Sequence, residues 1–86
     1  MDYRAFVRMH IVHVLGKRMR ELRAKQKFSQ EAFADHCGLH RTAISLVERG
    51  KREPSITTLL KISRGFGLTL SEFLLGVDGV PKKKHR

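Results

Sequence analysis

The chain has 86 residues, enough for one small domain, and 41% of them are hydrophobic, enough for a modest core. Eighteen Lys and Arg against 8 Asp and Glu give a formal charge of +10, which favours a polyanionic partner. A single cysteine excludes an intrachain disulfide and suits a reducing, cytoplasmic compartment, and no stretch approaches the roughly 20 apolar residues of a membrane span.

In chain order, residues 1–12 come first as an extension in which Tyr3, Phe6, Val7 and Ile11 fit one helical face. Three roles stay open for it: binding a partner, folding back on the domain, or padding a homodimer. Arg8, His10 and His13 interrupt the apolar run and no small-residue cleavage site follows, so it does not read as a secretory signal. A domain over residues 13–76 then holds 12 basic and 6 acidic side chains. Its first helix is predicted over 13–25, with Leu15, Met19 and Leu22 on one face and Lys17, Arg18, Arg20 and Lys25 opposite. Ser29 is placed to cap a second helix over 30–36, and Gly38 to end it in a left-handed turn. A third helix is predicted over 41–49, stopped by Gly50. After the basic turn Gly50-Lys51-Arg52-Glu53-Pro54, Ser55 caps a fourth helix containing Ile56, Leu59, Leu60 and Ile62, ended by Gly67. Gly65 weakens that helix by about 1 kcal/mol relative to alanine, so its last turn is expected to fray or to be packed closely by a neighbour. Thr69 and Glu72 have capping-box spacing for a fifth helix over 70–75. Residues 77–86 have no apolar pattern and carry 4 basic groups, which predicts a disordered electrostatic arm. No strand pattern appears, so the expected class is all-α with five short helices.

Gln30, Ala34, Gly38 and Ile44 stand at relative spacings of four, eight and fourteen, as two short helices crossing through a tight turn require. Ala34 is small enough for a second helix to cross close by, and Leu39, Ile44 and Val47 give that helix an apolar underside. Its other face carries His40, Arg41, Thr42 and Ser45, an arginine and small polar groups suited to base edges in a major groove. An arginine beside a helix N-terminus is disfavoured by the dipole, so Arg41 needs a functional reason.

The segments Leu15-Gly-Lys-Arg-Met-Arg-Glu-Leu-Arg23, Ser29-Gln-Glu-Ala-Phe-Ala34, Gly38-Leu-His-Arg-Thr-Ala-Ile-Ser45, Glu48-Arg-Gly-Lys-Arg52 and Pro54-Ser55 follow in order. In this the chain resembles the lambda repressor/Cro-like, or Xre, helix-turn-helix family over about residues 13–76. Within the family it is most similar to the controller proteins of restriction–modification systems, which are small dimeric regulators. It departs from them at Ala43, where controllers often carry a bulky aromatic residue.

The resemblance implies a compact five-helix, lambda-repressor-like domain and a sequence-specific transcriptional regulator that binds a palindromic operator in double-stranded DNA as a homodimer. Gln30 would position the domain on a phosphate, Arg41, Thr42 and Ser45 would read bases, and Lys51 and Arg52, with Arg49 and Lys27, would grip the backbone. Leu46 stands where phage repressors carry a polar contact, implying apolar contact or none at that base pair. Arg23 and Glu48 match an ion pair of the phage repressors, and Glu48, four residues after Ile44, needs a partner because it points to the apolar underside. Leu70, Phe73, Leu74 and Leu75 offer more apolar surface than a short fifth helix buries alone and are the expected dimer interface.

Two other functions are weighed beside this one. An antitoxin would use the extension to hold a toxin protein while repressing its own operon. A metal or redox sensor would use His36, Cys37 and His40, but the turn at Gly38 separates these side chains and no fourth ligand follows, so neither metal nor cofactor is expected. No glycine-rich phosphate loop or paired carboxylates suggest an enzyme.

Overall fold

The computed structural model describes residues 2–79. Five helices follow one another: α1 (Tyr3–Lys25), α2 (Gln30–Cys37), α3 (Arg41–Glu48), α4 (Ile56–Gly65) and α5 (Leu70–Phe73), with no strand among the described residues. The class is all-α, as the apolar spacing predicts.

The largest difference from the sequence reading is the start of α1, which begins at Tyr3 instead of residue 13. The Asp2 carboxylate accepts a hydrogen bond from the Ala5 N–H at 2.8 Å, and no glycine or proline interrupts the chain before Gly16. The extension is therefore the first half of α1. Only Leu15, Gly16 and Met19 of this helix are buried, so its N-terminal half carries no core residue.

Ser29, Ser55 and Thr69 cap α2, α4 and α5 through their hydroxyls. At the end of α2, Gly38 takes φ +71°, its N–H meets the Asp35 carbonyl and the Leu39 N–H meets that of Ala34, the hydrogen-bond pattern of a left-handed helix stop. The same pattern ends α3 at Gly50 and Lys51, and ends α1 at Lys27, where a lysine occupies the left-handed region at φ 63°.

The core joins all five helices: Leu15 and Met19 of α1, Phe33 and Ala34 of α2, Ile44 and Val47 of α3, Ile62 of α4 with Phe66 just after it, and Phe73 of α5. Phe33 and Phe66 stack with centroids 4.2 Å apart, and Phe28 and Phe73 extend the aromatic row at either end. Of the apolar residues of α4, Ile56 and Leu60 are exposed, at 65% and 42%. Gly65 is packed closely, one of the two alternatives expected for it: a Cβ there would strike the Cys37 sulfur and stand 3.3 Å from Phe33. Helix α5 ends at Phe73, two residues before the expected Leu75, and Val77 beyond it is buried, so the chain leaves the core later than residue 76. Residues 80–86, which hold most of the basic tail, lie outside the described residues.

Candidate nucleic-acid interface

The buried face of α3 is Ile44, Val47 and Glu48. Burying a carboxylate is costly unless it is paired and hydrogen-bonded, and Glu48, 2% exposed, is both. Arg23 donates from Nε to Oε2 at 2.7 Å and from Nη2 to Oε1 at 3.0 Å, a two-point contact that fixes angle as well as distance. Donating to the Glu48 carboxylate raises the Arg23 pKa above its ordinary value, against the opposing effect of burial. Arg23 also donates from Nη1 to the Phe28 carbonyl at 2.8 Å, tying the end of α1 to the loop before α2.

Glu48 has a further partner. Gln30 Nε2 donates to Oε1 at 3.0 Å, so one carboxylate joins α1, the first residue of α2 and the last of α3. The Gln30 amide is thus held inside the domain, where the sequence reading places it only on phosphate. An amide nitrogen carries two hydrogens, and one remains.

Two contacts bracing α3 have no clear signal in the sequence reading. Arg20, assigned only to a basic face, donates from Nη1 to the Glu48 carbonyl at the C-terminal end of α3. Gly16 lets α1 approach that end: a Cβ there would stand 2.5 Å from the Glu48 carbonyl oxygen and 2.8 Å from that of Val47. A glycine inside an otherwise apolar-periodic helix is the one available hint of such an approach. Arg18 plays the matching part for α5, donating to the carbonyls of Phe73 and Glu72.

With its underside held this way, α3 presents Arg41, Thr42 and Arg49 to solvent and leaves Ser45, Ala43 and Leu46 half-buried. Thr42, Ser45 and Arg49 follow at helical spacing along that face. No side chain caps α3, since His40 makes no such hydrogen bond. A shallow concavity brings Gln30 and Arg23 beside Arg41, with Glu31 and Asp35 of α2 on the same rim. Lys27, Lys51 and Arg52 are exposed in the turns after α1 and α3.

Phe73 is fully buried in the core and has no surface left for a partner, which corrects its place in the expected dimer interface. Leu75 is 76% exposed, while Leu70 and Leu74 are half-buried. His36 stacks on Phe28 with centroids 5.2 Å apart, whereas Cys37 faces Gly65 and burial pushes its thiol up to about 11. Among the described residues, no helix is long and apolar enough to cross a membrane.

Two short helices crossing at Ala34 through a glycine turn, the second braced from below and open above, define a helix-turn-helix domain. A helix-turn-helix family model matches residues 19–73, and the chain belongs to this family, HTH_3. It is 44% identical over 64 residues to the control protein C.MunI of Mycoplasma, a match covering 73% of this chain and 86% of that one. Over 58 residues it is 47% identical to the HTH-type transcriptional regulator PuuR of Escherichia coli, covering 67% of this chain. It spans only about a third of PuuR, 31% of its length. The crystal structure of the restriction-modification controller protein C.AhdI from Aeromonas hydrophila superposes with a TM-score of 0.69 at 35% identity, covering 72% of this chain and 94% of that one.

Proposed function

We propose that this protein is a DNA-binding transcriptional regulator that docks α3 in the major groove and acts as a homodimer on a palindromic operator. The observation that carries the reading is the three-way junction at Glu48, which holds α3 rigidly from beneath while its Arg41, Thr42 and Ser45 side stays accessible. Rigid presentation matters because base readout depends on bidentate geometry that a loose helix loses.

Arg41 is the base-reading cation, with Thr42 and Ser45 as hydrogen-bonding or methyl-contacting neighbours. Gln30 grips phosphate with its backbone N–H and its remaining amide hydrogen, the other being spent on Glu48, which orients the group. Lys27, Arg49, Lys51 and Arg52 supply sequence-independent grip. Glu31 and Asp35 face the same concavity and disfavour a phosphate there, so the contact is confined to the Gln30 and Arg41 side. Leu70, Leu74 and Leu75 remain the interface at α5, without Phe73. Among regulators, restriction–modification controllers are the preferred group, because C.MunI and C.AhdI align with this chain over nearly their whole length.

Selection of bound fragments from random DNA with the purified full chain tests the proposal. The expected result is an enriched palindrome whose half-sites lie about one helical turn, roughly 34 Å, apart. Recovery of unenriched sequence would overturn it.

A further inference from the structure

We propose that the N-terminal half of α1, residues 3–12, is a dimer arm that lies in the apolar groove of a second copy of this chain. The inference rests on the homodimer reading above and specifies the surface that makes it.

The arm exposes what a solvated helix end has no reason to carry. Phe6 is 40% and Met9 55% exposed, Val7 and Ile11 are half-buried, and no residue of the helix before Leu15 is buried. Phe6, Val7, His10 and Ile11 form one stripe at helical spacing, with the Phe6 and His10 rings 5.8 Å apart. The segment is continuous with the packed half of α1, yet it buries none of its own side chains in the core, so its apolar stripe stays in water unless another surface covers it.

The groove it fits begins where the arm ends. A cavity of about 570 Å³ lies between Ile11 and Leu15 of α1, Leu59 of α4, and Leu74 and Leu75 after α5. It continues over Ile11, Val12 and Glu53 into a second concavity of about 420 Å³ beside Val7. One apolar strip therefore runs from the arm to α5.

Area and charge both point to a second copy as the occupant. A standard interface buries about 800 Å² on each partner. Helix α5 has four residues, one of them turned fully inward, and Leu75 just after it is the main exposed apolar side chain at this end. The strip continuous with it supplies the missing area. Its charges differ at the two ends: Arg4 and Arg8 outnumber Glu53 in the arm's concavity, whereas Glu53 and Asp78 are the charged residues lining the groove near Leu75. Two copies laid antiparallel about a two-fold axis bring the basic end of each to the acidic end of the other, and symmetry makes every such contact twice.

Sedimentation of the full chain tests this, using substitutions at exposed positions and circular dichroism to monitor folding. Phe6→Glu is expected to raise the dimer dissociation constant about 100-fold, roughly tenfold for each of the two symmetric contacts. A chain with Arg4→Glu and Arg8→Glu, and another with Asp78→Lys, are each expected to dimerise poorly alone. Mixed, they are expected to form a heterodimer more stable than either variant's homodimer, since its two sets of contacts, one charge-reversed and one wild-type, are both attractive. A wild-type dimer left unchanged by all these variants, or no gain on mixing, overturns the arm while leaving dimerisation through α5 standing. A wild-type chain that is monomeric both at about 100 µM, well above the µM range of weak specific complexes, and on its operator overturns arm and dimer together. A different protein that copurifies at equal stoichiometry and is released by Phe6→Glu would give the arm to that protein and overturn self-association there.

Discussion

Glu48 and Gly16 illustrate how unequally single residues announce themselves. A carboxylate four residues after Ile44 cannot share its apolar face without a partner, the resemblance to phage repressors points to Arg23, and Arg23 stands there. Gly16 sends no comparable signal, because a glycine in a helix reads locally as a cost and its reason lies in the distant carbonyls of Val47 and Glu48. Gly16→Ala is expected to cost about 1–3 kcal/mol by forcing α1 away from the end of α3. Urea unfolding measures this, and an alanine variant as stable as wild type would show that the helices part without strain. Cys37 makes a prediction of another kind. Burial raises its pKa from the ordinary 9.0 to about 11. The folded state therefore keeps the thiol proton where the unfolded chain has lost it, so this contribution is full below pH 9 and fades as pH rises towards 11. Cys37→Ser, whose hydroxyl does not titrate in that range, is expected to flatten the alkaline decline in stability, and an unchanged decline would place its origin elsewhere.

Helix interiors and caps are readable because their signals are local. Ser29, Ser55 and Thr69 cap the helices expected of them, and the glycine stop after α2 lies at Gly38. The early start of α1 is also encoded, by Asp2 and an unbroken run to Leu15, but the interrupted apolar pattern draws the expected boundary to residue 13. Apolar character alone does not tell core from interface, which is why Phe73 reads as interface and lies in the core: four apolar residues near one short helix leave open which turns inward. The cap of α5 is testable by itself. Thr69 Oγ1 accepts from the Glu72 N–H at 3.1 Å, and the Glu72 carboxylate accepts from the Thr69 N–H at 2.8 Å. Removing the hydroxyl in Thr69→Ala is expected to cost about 0.5–2 kcal/mol. The same backbone hydrogen bond, then that of the Thr69 side chain, holds the Glu72 pKa below its ordinary value. That contribution is complete above the ordinary glutamate range and is lost as pH falls through the depressed value. Amide exchange of α5 against pH reads it directly: protection that does not fall in acid would contradict the cap's role.

For the whole molecule, charge and shape make separate demands. If Gln30, Lys27, Lys51, Arg52 and their symmetry mates engage about 6–10 phosphates, affinity is expected to fall about 10³ to 10⁵-fold between 50 and 200 mM salt. A shallow dependence would remove the proposed backbone grip. The family and the all-α fold follow from motifs that occur in order along the chain, whereas operator sequence and dimer geometry depend on surfaces that meet only outside one domain. The central claim is that α3 reads DNA through a face held open by its buried side. Binding of wild type, Arg41→Ala and Lys51→Ala to a panel of single-base operator variants tests it most directly, with circular dichroism establishing that each protein is folded. Arg41→Ala is predicted to lose about 1–3 kcal/mol and to relax preference at one symmetric pair of positions, while Lys51→Ala weakens every sequence nearly equally and lowers the salt slope by about one. A folded Arg41→Ala protein with the wild-type base-preference profile would contradict that reading.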